Sequence, residues 1–176
     1  VKFYYTCQIT NTSLMVKLQL PVPKYLKKIL DIKYGPDYVL KDSTILALAI
    51  SNTLMRKHYA VHRYRVNSKN GKYYRFKELS EVYIIQLSIK SGRRKGFEID
   101  ENKIHKIVRA IDKSIREELY TAAIINKEQY DIEYQTTILN FLDQYDIEED
   151  ELSYESLRKD FNRLREKLVK NLKNIT

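Results

Sequence analysis

The stretch that most constrains how this chain folds runs from residue 100 to residue 126, and it contains neither glycine nor proline. Its apolar residues recur at steps of three and four: Ile104, Ile107, Val108, Ile111, Ile115, Leu119 and Ala122. This spacing predicts one long amphipathic helix of about seven turns and roughly 40 Å, with Asp100 as its N-cap. Such a helix needs partners on its apolar side, and the apolar segments before and after it can supply them.

Shorter patterns before the long helix predict a small sheet and two more helices. We expect strands at 16–20 and 81–89, helices at 24–34 and 44–57, and a loop at 91–96. Gly35 should end the first helix, and Asp42 or Ser43 should cap the second. Apolar residues surround the second helix, Leu48 among them, so we expect it to be central in the core. The 81–89 run is apolar on both faces, which favours a buried strand.

After residue 127 the apolar pattern restarts as two helices joined by an acidic turn. They are predicted at 136–145 and 153–167, with Ser153 as the cap of the second. The sequence therefore predicts an α+β, mostly helical protein with a core domain at 1–127 and a C-terminal helical hairpin, similar to a helix-turn-helix, at 128–176. In the core domain a small antiparallel sheet should pack on the long helix.

The positive charge of the chain is concentrated in one block. Residues 56–95 hold twelve Lys or Arg against two acids, a net charge of +10, so the formal charge of +9 leaves −1 for all other residues. Asn70-Gly71 between two alternating segments predicts a basic hairpin at 61–77 within this block. Interleaved aromatic rings and concentrated cations suit a nucleic-acid backbone, and the alternative is a solvated basic hairpin. The candidate contacts are Arg63, Arg65, Lys69, Lys72, Arg75, Lys77, Arg93, Arg94 and Lys95.

The order of strand, helix, glycine turn and capped helix over residues 16–57 resembles the ribbon-helix-helix family of DNA-binding proteins. In that family two chains pair their strands into a ribbon that enters the major groove. The resemblance implies a homodimer in which Lys17 and Gln19 face the bases. It also implies that residues 42–44 stand at a helix start that holds a phosphate. The connection between the helices is longer than is usual in the family. The alternative is a strand and two helices that pack into the core.

The C-terminal helix pair has the order of a helix-turn-helix unit. If its second helix reads DNA, the contacts should come from Arg158, Lys159, Asn162 and Arg163. The five acids at 146–151 oppose that reading, because they would repel phosphates at the entering end of the helix. The alternative is a helical hairpin with no DNA contact, in which these acids stabilise the N-terminus of the second helix.

A second resemblance covers residues 16 to 167. It is carried by Tyr25-Leu26, Lys33-Tyr34-Gly35, the Ile84-Ile85-Gln86-Leu87 strand with its basic loop, the long helix, and a tail with Tyr145, Ile147, Ser153, Glu155, Leu157, Lys159, Phe161 and Arg163. Together these elements look like a family of small basic proteins encoded by mobile elements and phages of Bacteroidota, some described as DNA-binding. The resemblance implies a mobile-element or phage setting. The predicted hairpin is an insertion relative to that pattern.

Several function classes are disfavoured by composition. One cysteine and three histidines in 176 residues give no zinc-ligand spacing, so we expect no metal and no cofactor. We find no complete catalytic motif and expect a non-enzymatic protein of the bacterial host's cytoplasm. No apolar run approaches the roughly 20 residues of a membrane span.

The predicted function is binding of double-stranded DNA in regulation, replication or maintenance of a mobile element or phage genome, by a monomer or homodimer. The alternative is a virion or assembly protein whose basic block contacts packaged DNA or an acidic partner.

Overall fold

The structure is a computed structural model, and it describes residues 15–41, 44–55, 79–99 and 101–173. The strands are β1 (Met15–Val22), β2 (Asp37–Val39), β3 (Leu54–Met55), β4 (Glu81–Ser88) and β5 (Glu98–Ile99). The helices are α1 (Lys24–Tyr34), α2 (Ile45–Ser51), α3 (Ile89–Lys95), α4 (Glu101–Tyr130), α5 (Tyr134–Gln144) and α6 (Tyr154–Lys173). The expected α+β, mostly helical fold is confirmed.

The chain forms two compact units, an N-terminal unit at Val1–Ile111 and a C-terminal unit at Asp112–Thr176. The division falls inside α4, whose first eleven residues belong to the N-terminal unit. The division expected from the sequence, between residues 127 and 128, lies further along the same helix.

The sheet of the N-terminal unit has the order β1-β4-β2. All eight residues of β1 pair antiparallel with β4, and Leu18 stands opposite Ile85. On the other side of β4, β2 adds a parallel pairing that places Tyr38 beside Ile85, so the sheet is mixed rather than antiparallel. Burial alternates along β4: Tyr83, Ile85 and Leu87 are buried, whereas Val82 is 37% exposed. The expectation of a strand buried on both faces was therefore wrong.

Helix α1 packs on this sheet because Leu26, Ile29 and Leu30 form a buried stripe on one side of it. It ends at Gly35 as predicted, in the left-handed region at φ +88°, where its N–H donates to the carbonyl of Asp31 at 3.0 Å. The hydroxyl of the buried Tyr83 donates to the Gly35 carbonyl at 2.7 Å. Burial raises the pKa of Tyr83 well above its usual range, so the hydroxyl remains a donor.

Helix α2 is shorter than the sequence pattern indicates. Thr44 is its N-cap, since the Thr44 Oγ1 accepts from the N–H of Ala47 at 3.1 Å, so the expectation of a cap at 42 or 43 was wrong. The helix ends at Ser51, and the following residues pair with β5 as β3. With only two turns, α2 buries part of its apolar surface, and the buried residues are Leu46, Ala47 and Ile50. Leu48 is 53% exposed and is not a core residue.

Helix α4 confirms the long amphipathic helix, although it continues four residues beyond the expected end. In the N-terminal unit its buried residues are Ile104, Ile107, Val108 and Ile111, and in the C-terminal unit they are Ile115, Leu119, Tyr120 and Ala123. The expected final position of the stripe was one residue too early, because Ala122 is exposed and Ala123 is fully buried.

The C-terminal unit packs α5 and α6 with the second part of α4. Its core contains Ile138, Leu142, Leu157 and Phe161. The hydroxyl of Tyr120 donates to the carbonyl of Leu157 at 3.3 Å, and Arg116 binds Asp160 at 3.1 Å, so two polar contacts join α4 to α6. No helix in the described ranges combines the length and apolar character that a membrane crossing requires.

Candidate nucleic-acid interface

The segment around α3 concentrates positive charge without any acid. Residues 82–97 contain Lys90, Arg93, Arg94 and Lys95 and neither Asp nor Glu. The loop expected at 91–96 was wrong, because residues 89–95 are helical. Ser88 caps this helix, with its Oγ accepting from the N–H of Ser91 at 3.2 Å.

The ring of Phe97 occupies the space that a side chain at position 92 would need, which favours glycine there. A Cβ placed on Gly92 would stand 2.0 Å from the Cε1 atom of Phe97. The chain then turns at Gly96, which has φ +112° and donates its N–H to the Gly92 carbonyl at 2.7 Å. This fold-back ends α3 directly after its cationic residues.

Three cations share one side of α3. Lys90, Arg93 and Arg94 are spaced three and four residues apart, which places their side chains on neighbouring positions of a helix surface. All three are exposed, whereas Gly92 between them is buried. We call Lys90, Arg93 and Arg94 the α3 basic face. The favourable interaction of cations with a helix C-terminus contributes a few tenths to about 1 kcal/mol of local stability.

Lys95 has a different role from the one expected. It is half-buried, and its Nζ donates to the Oγ of Ser51 at 3.0 Å, which ties the end of α3 to the end of α2. Lys90, which we did not predict, takes its place on the exposed side. The spacing of Lys90 from Arg93 and Arg94, three and four residues, indicates a shared surface only if the segment is known to be a helix.

The residues implied by the ribbon-helix-helix resemblance lie in a different setting. Lys17 and Gln19 are half-buried on β1, every residue of which pairs with β4 of the same chain. The Lys17 Nζ lies 3.9 Å from the Oδ1 of Asp37. Thr44 uses its hydroxyl as the cap of α2 and shares a short hydrogen bond with the hydroxyl of Tyr38. These contacts support the alternative in which the strand and two helices pack into the core.

Two arginines of α6, Arg158 and Arg163, are paired with acids of the same helix. Arg158 donates from Nε and Nη2 to the two carboxylate oxygens of Glu155 at 3.0 and 2.9 Å, and this contact holds the pKa of Glu155 below its usual range. Arg163 donates to Asp160 at 3.3 Å. Lys159 is exposed. Local pairing of this kind lowers the positive potential that a phosphate would meet.

The connection between α5 and α6 also departs from a helix-turn-helix unit. Nine residues separate Gln144 from Tyr154, against the three or four of that motif. The helical hairpin itself is present, and Asn162 lies half-buried on its second helix. The predicted contacts Arg63, Arg65, Lys69, Lys72, Arg75 and Lys77 lie outside the described residues.

Charge is divided unequally between the two compact units. The sequence of the N-terminal unit has 22 Lys or Arg and 8 acids, a net charge of +14. The C-terminal unit has 10 Lys or Arg and 15 acids, a net charge of −5. The excess positive charge of the chain is therefore carried by the N-terminal unit.

Comparison with protein families, with curated proteins and with solved structures found no significant match. The candidate interface therefore rests on the charge and geometry of this chain. In the part of the chain that the structure describes, no three His, Cys, Asp or Glu side chains are grouped as metal ligands.

Proposed function

We propose that this protein binds double-stranded DNA through the phosphate backbone, with its N-terminal unit, in regulation, replication or maintenance of a mobile-element or phage genome. The observation that carries the proposal is the division of charge, +14 in the N-terminal unit against −5 in the C-terminal unit. The mobile-element or phage setting follows from the sequence resemblance alone.

The α3 basic face is the described surface best suited to this role. Its three residues are exposed within two turns of helix, in a segment, residues 82–97, whose sequence contains neither Asp nor Glu. Each phosphate contact contributes about 0.9 to the slope of log K against log salt concentration. Three contacts give a slope of about 2.7, so affinity should fall about 40-fold between 50 and 200 mM salt from this face alone.

Contacts of this type position a protein on DNA without reading its sequence. We therefore propose binding to duplexes of any sequence by the N-terminal unit. The paired arginines of α6 make base reading by that helix less favourable, because leaving Glu155 or Asp160 would cost each arginine its carboxylate partner.

The proposal is tested by fluorescence anisotropy with a random-sequence 20-base-pair duplex over 50–200 mM salt. The test variant is Lys90→Gln/Arg93→Gln/Arg94→Gln, and the matched control is Arg158→Gln/Lys159→Gln/Arg163→Gln, which removes the same charge from the C-terminal unit. We expect the α3 variant to lower the slope by about 2.7 and the control to leave it unchanged.

Two results would contradict the proposal. Absence of binding by the wild-type chain at about 10 µM protein and low salt would exclude even ordinary non-specific affinity. Loss of binding in the control variant with an intact α3 variant would make the C-terminal hairpin the principal DNA-binding element. Displacement of the duplex by poly-glutamate at equal charge concentration would instead favour the assembly-protein alternative, in which the cations meet an acidic partner.

A further inference from the structure

Helix α3 is held at both of its ends. At its start it continues directly from β4, and the Ser88 side chain caps it. At its end the Nζ of Lys95 donates to the Oγ of Ser51, the last residue of α2, at 3.0 Å. Both side chains are half-buried, and they are 44 positions apart in the sequence. The contact therefore holds the end of α3 against a distant part of the chain.

Helix α2 can support α3 because α2 is itself held by the sheet. At its start Thr44 caps the helix and shares a short hydrogen bond with the hydroxyl of Tyr38 on β2. Along its length Leu46, Ala47 and Ile50 are buried in the core. The serine hydroxyl at the end of α2 stands directly after the last of these buried residues, so its position is defined.

A short ladder joins the segments that follow the two helices. Strand β3 follows α2, strand β5 follows α3, and the two strands pair antiparallel with Met55 opposite Glu98. Each strand has only two residues. Because a two-stranded pairing is marginally stable by itself, the hydrogen bond between the helix ends adds to what fixes α3.

The end of α3 that this contact holds also carries the α3 basic face. Arg93 and Arg94 directly precede Lys95, and a helix rises only about 1.5 Å per residue, so motion of this end displaces both arginines. Ordering side chains and segments on binding costs conformational entropy. A contact that orders the end of α3 before DNA arrives removes part of that cost.

We propose that Lys95 and Ser51 are positioning residues, whose hydrogen bond holds the α3 basic face in the arrangement that meets DNA phosphates. This inference rests on the proposed function and deepens it, since it assigns Lys95 to the support of the face rather than to a phosphate contact. It also gives a role in binding to Ser51, an uncharged residue that charge alone would not identify.

The test measures affinity of the full chain for the random 20-base-pair duplex by fluorescence anisotropy over 50–200 mM salt. Ser51→Ala removes the acceptor without changing charge, and Ser51→Thr keeps a hydroxyl. Lys95→Met removes the donor and one charge while keeping an unbranched side chain. The matched control is Lys167→Met, which removes one charge from an exposed residue of α6. Methionine and lysine have similar helix propensities, so these variants should fold, and far-UV circular dichroism checks this.

We expect Ser51→Ala and Lys95→Met to lower affinity about 2- to 10-fold at a given salt concentration, the fold-change that corresponds to the net strength of one hydrogen bond. The slope of log K against log salt concentration counts phosphate contacts, so it should keep its wild-type value in both variants. Ser51→Thr and the control should bind as the wild type does.

A combined variant separates positioning from a general loss of stability. Ser51→Ala is added to the α3 variant Lys90→Gln/Arg93→Gln/Arg94→Gln and measured at 50 mM salt. We expect no further loss of affinity, because no cation of the face remains to be positioned. A general loss of stability would instead lower affinity by the same factor in both backgrounds.

Several results would overturn the inference and leave the proposed function intact. Wild-type affinity of Ser51→Ala would show that the contact does not affect binding, and failure of Ser51→Thr to restore affinity would exclude the hydroxyl as the cause. A slope lowered by about 0.9 in Lys95→Met, with no decrease in the control, would make Lys95 a phosphate contact. Equal losses with and without the basic face would show a structural effect only. No binding by the wild type would overturn both proposals.

Discussion

Replacement of Gly92 by Ala should destabilise the N-terminal unit through one contact, that with the ring of Phe97. The added Cβ would lie 2.0, 2.5 and 2.6 Å from the Cε1, Cδ1 and Cζ atoms of Phe97, against an ordinary contact distance of 3.4–4 Å. The ring must therefore move by more than an ångström. Overpacking of this kind costs roughly 1–3 kcal/mol, and the higher helix propensity of alanine returns about 1 kcal/mol. The expected net loss is about 0–2 kcal/mol.

A double-mutant cycle separates these two effects. In a Phe97→Ala background the three closest atoms are gone, so Gly92→Ala should then stabilise the protein by up to about 1 kcal/mol, its helix-propensity term. Both steps are measured by equilibrium urea unfolding followed by circular dichroism. The expected coupling between the two substitutions is roughly 1–3 kcal/mol. If Gly92→Ala has the same effect in both backgrounds, the close approach of Phe97 does not explain the glycine.

Three further outcomes follow from the described contacts. Tyr83→Phe should lower unfolding free energy by about 1–3 kcal/mol in urea titrations, because it removes the donor to the Gly35 carbonyl, and an unchanged midpoint would contradict this. The pKa of Glu155, measured by NMR, should be below its usual range, so that its stabilising contact is present above the unfolded-state pKa and is lost as pH falls through the folded-state pKa. Arg158→Gln should raise that pKa towards the ordinary value, and no change would exclude the arginine as its cause. Asp146→Val should lower the free energy of unfolding by about 1–2 kcal/mol, since residue 146 has φ +49°, whereas Asp146→Gly should cost less because glycine adopts this φ without strain.

The parts of the fold that could be predicted are those with strong local signals. The uninterrupted apolar period of α4, the glycine stop of α1 and the alternation of β1 each depend on residues close in sequence. Strand β2 was missed because three residues carry no periodicity and its partner, β4, is distant in sequence. The length of α2 was overestimated because apolar composition does not show where tertiary pairing, here β3 with β5, takes over.

The candidate site was predictable in its charge but not in its geometry. Arg93 and Arg94 are exposed as expected, whereas Lys95 binds Ser51. The loop predicted at 91–96 hid α3, and with it Lys90, because the approach of the Phe97 ring to Gly92 leaves no periodic signal in the sequence. The pairing of Arg158 with Glu155 was readable, because the acid stands three residues before the arginine on a helix.

The central claim is that the N-terminal unit holds the nucleic acid, and photo-cross-linking tests it most directly. A duplex with photoreactive thymines is cross-linked to the full chain at low salt, and the modified peptides are identified by mass spectrometry. The charge division predicts cross-links within residues 1–111, including peptides that span 89–95, and their loss at 200 mM salt. Cross-links confined to residues 134–173 would contradict the account.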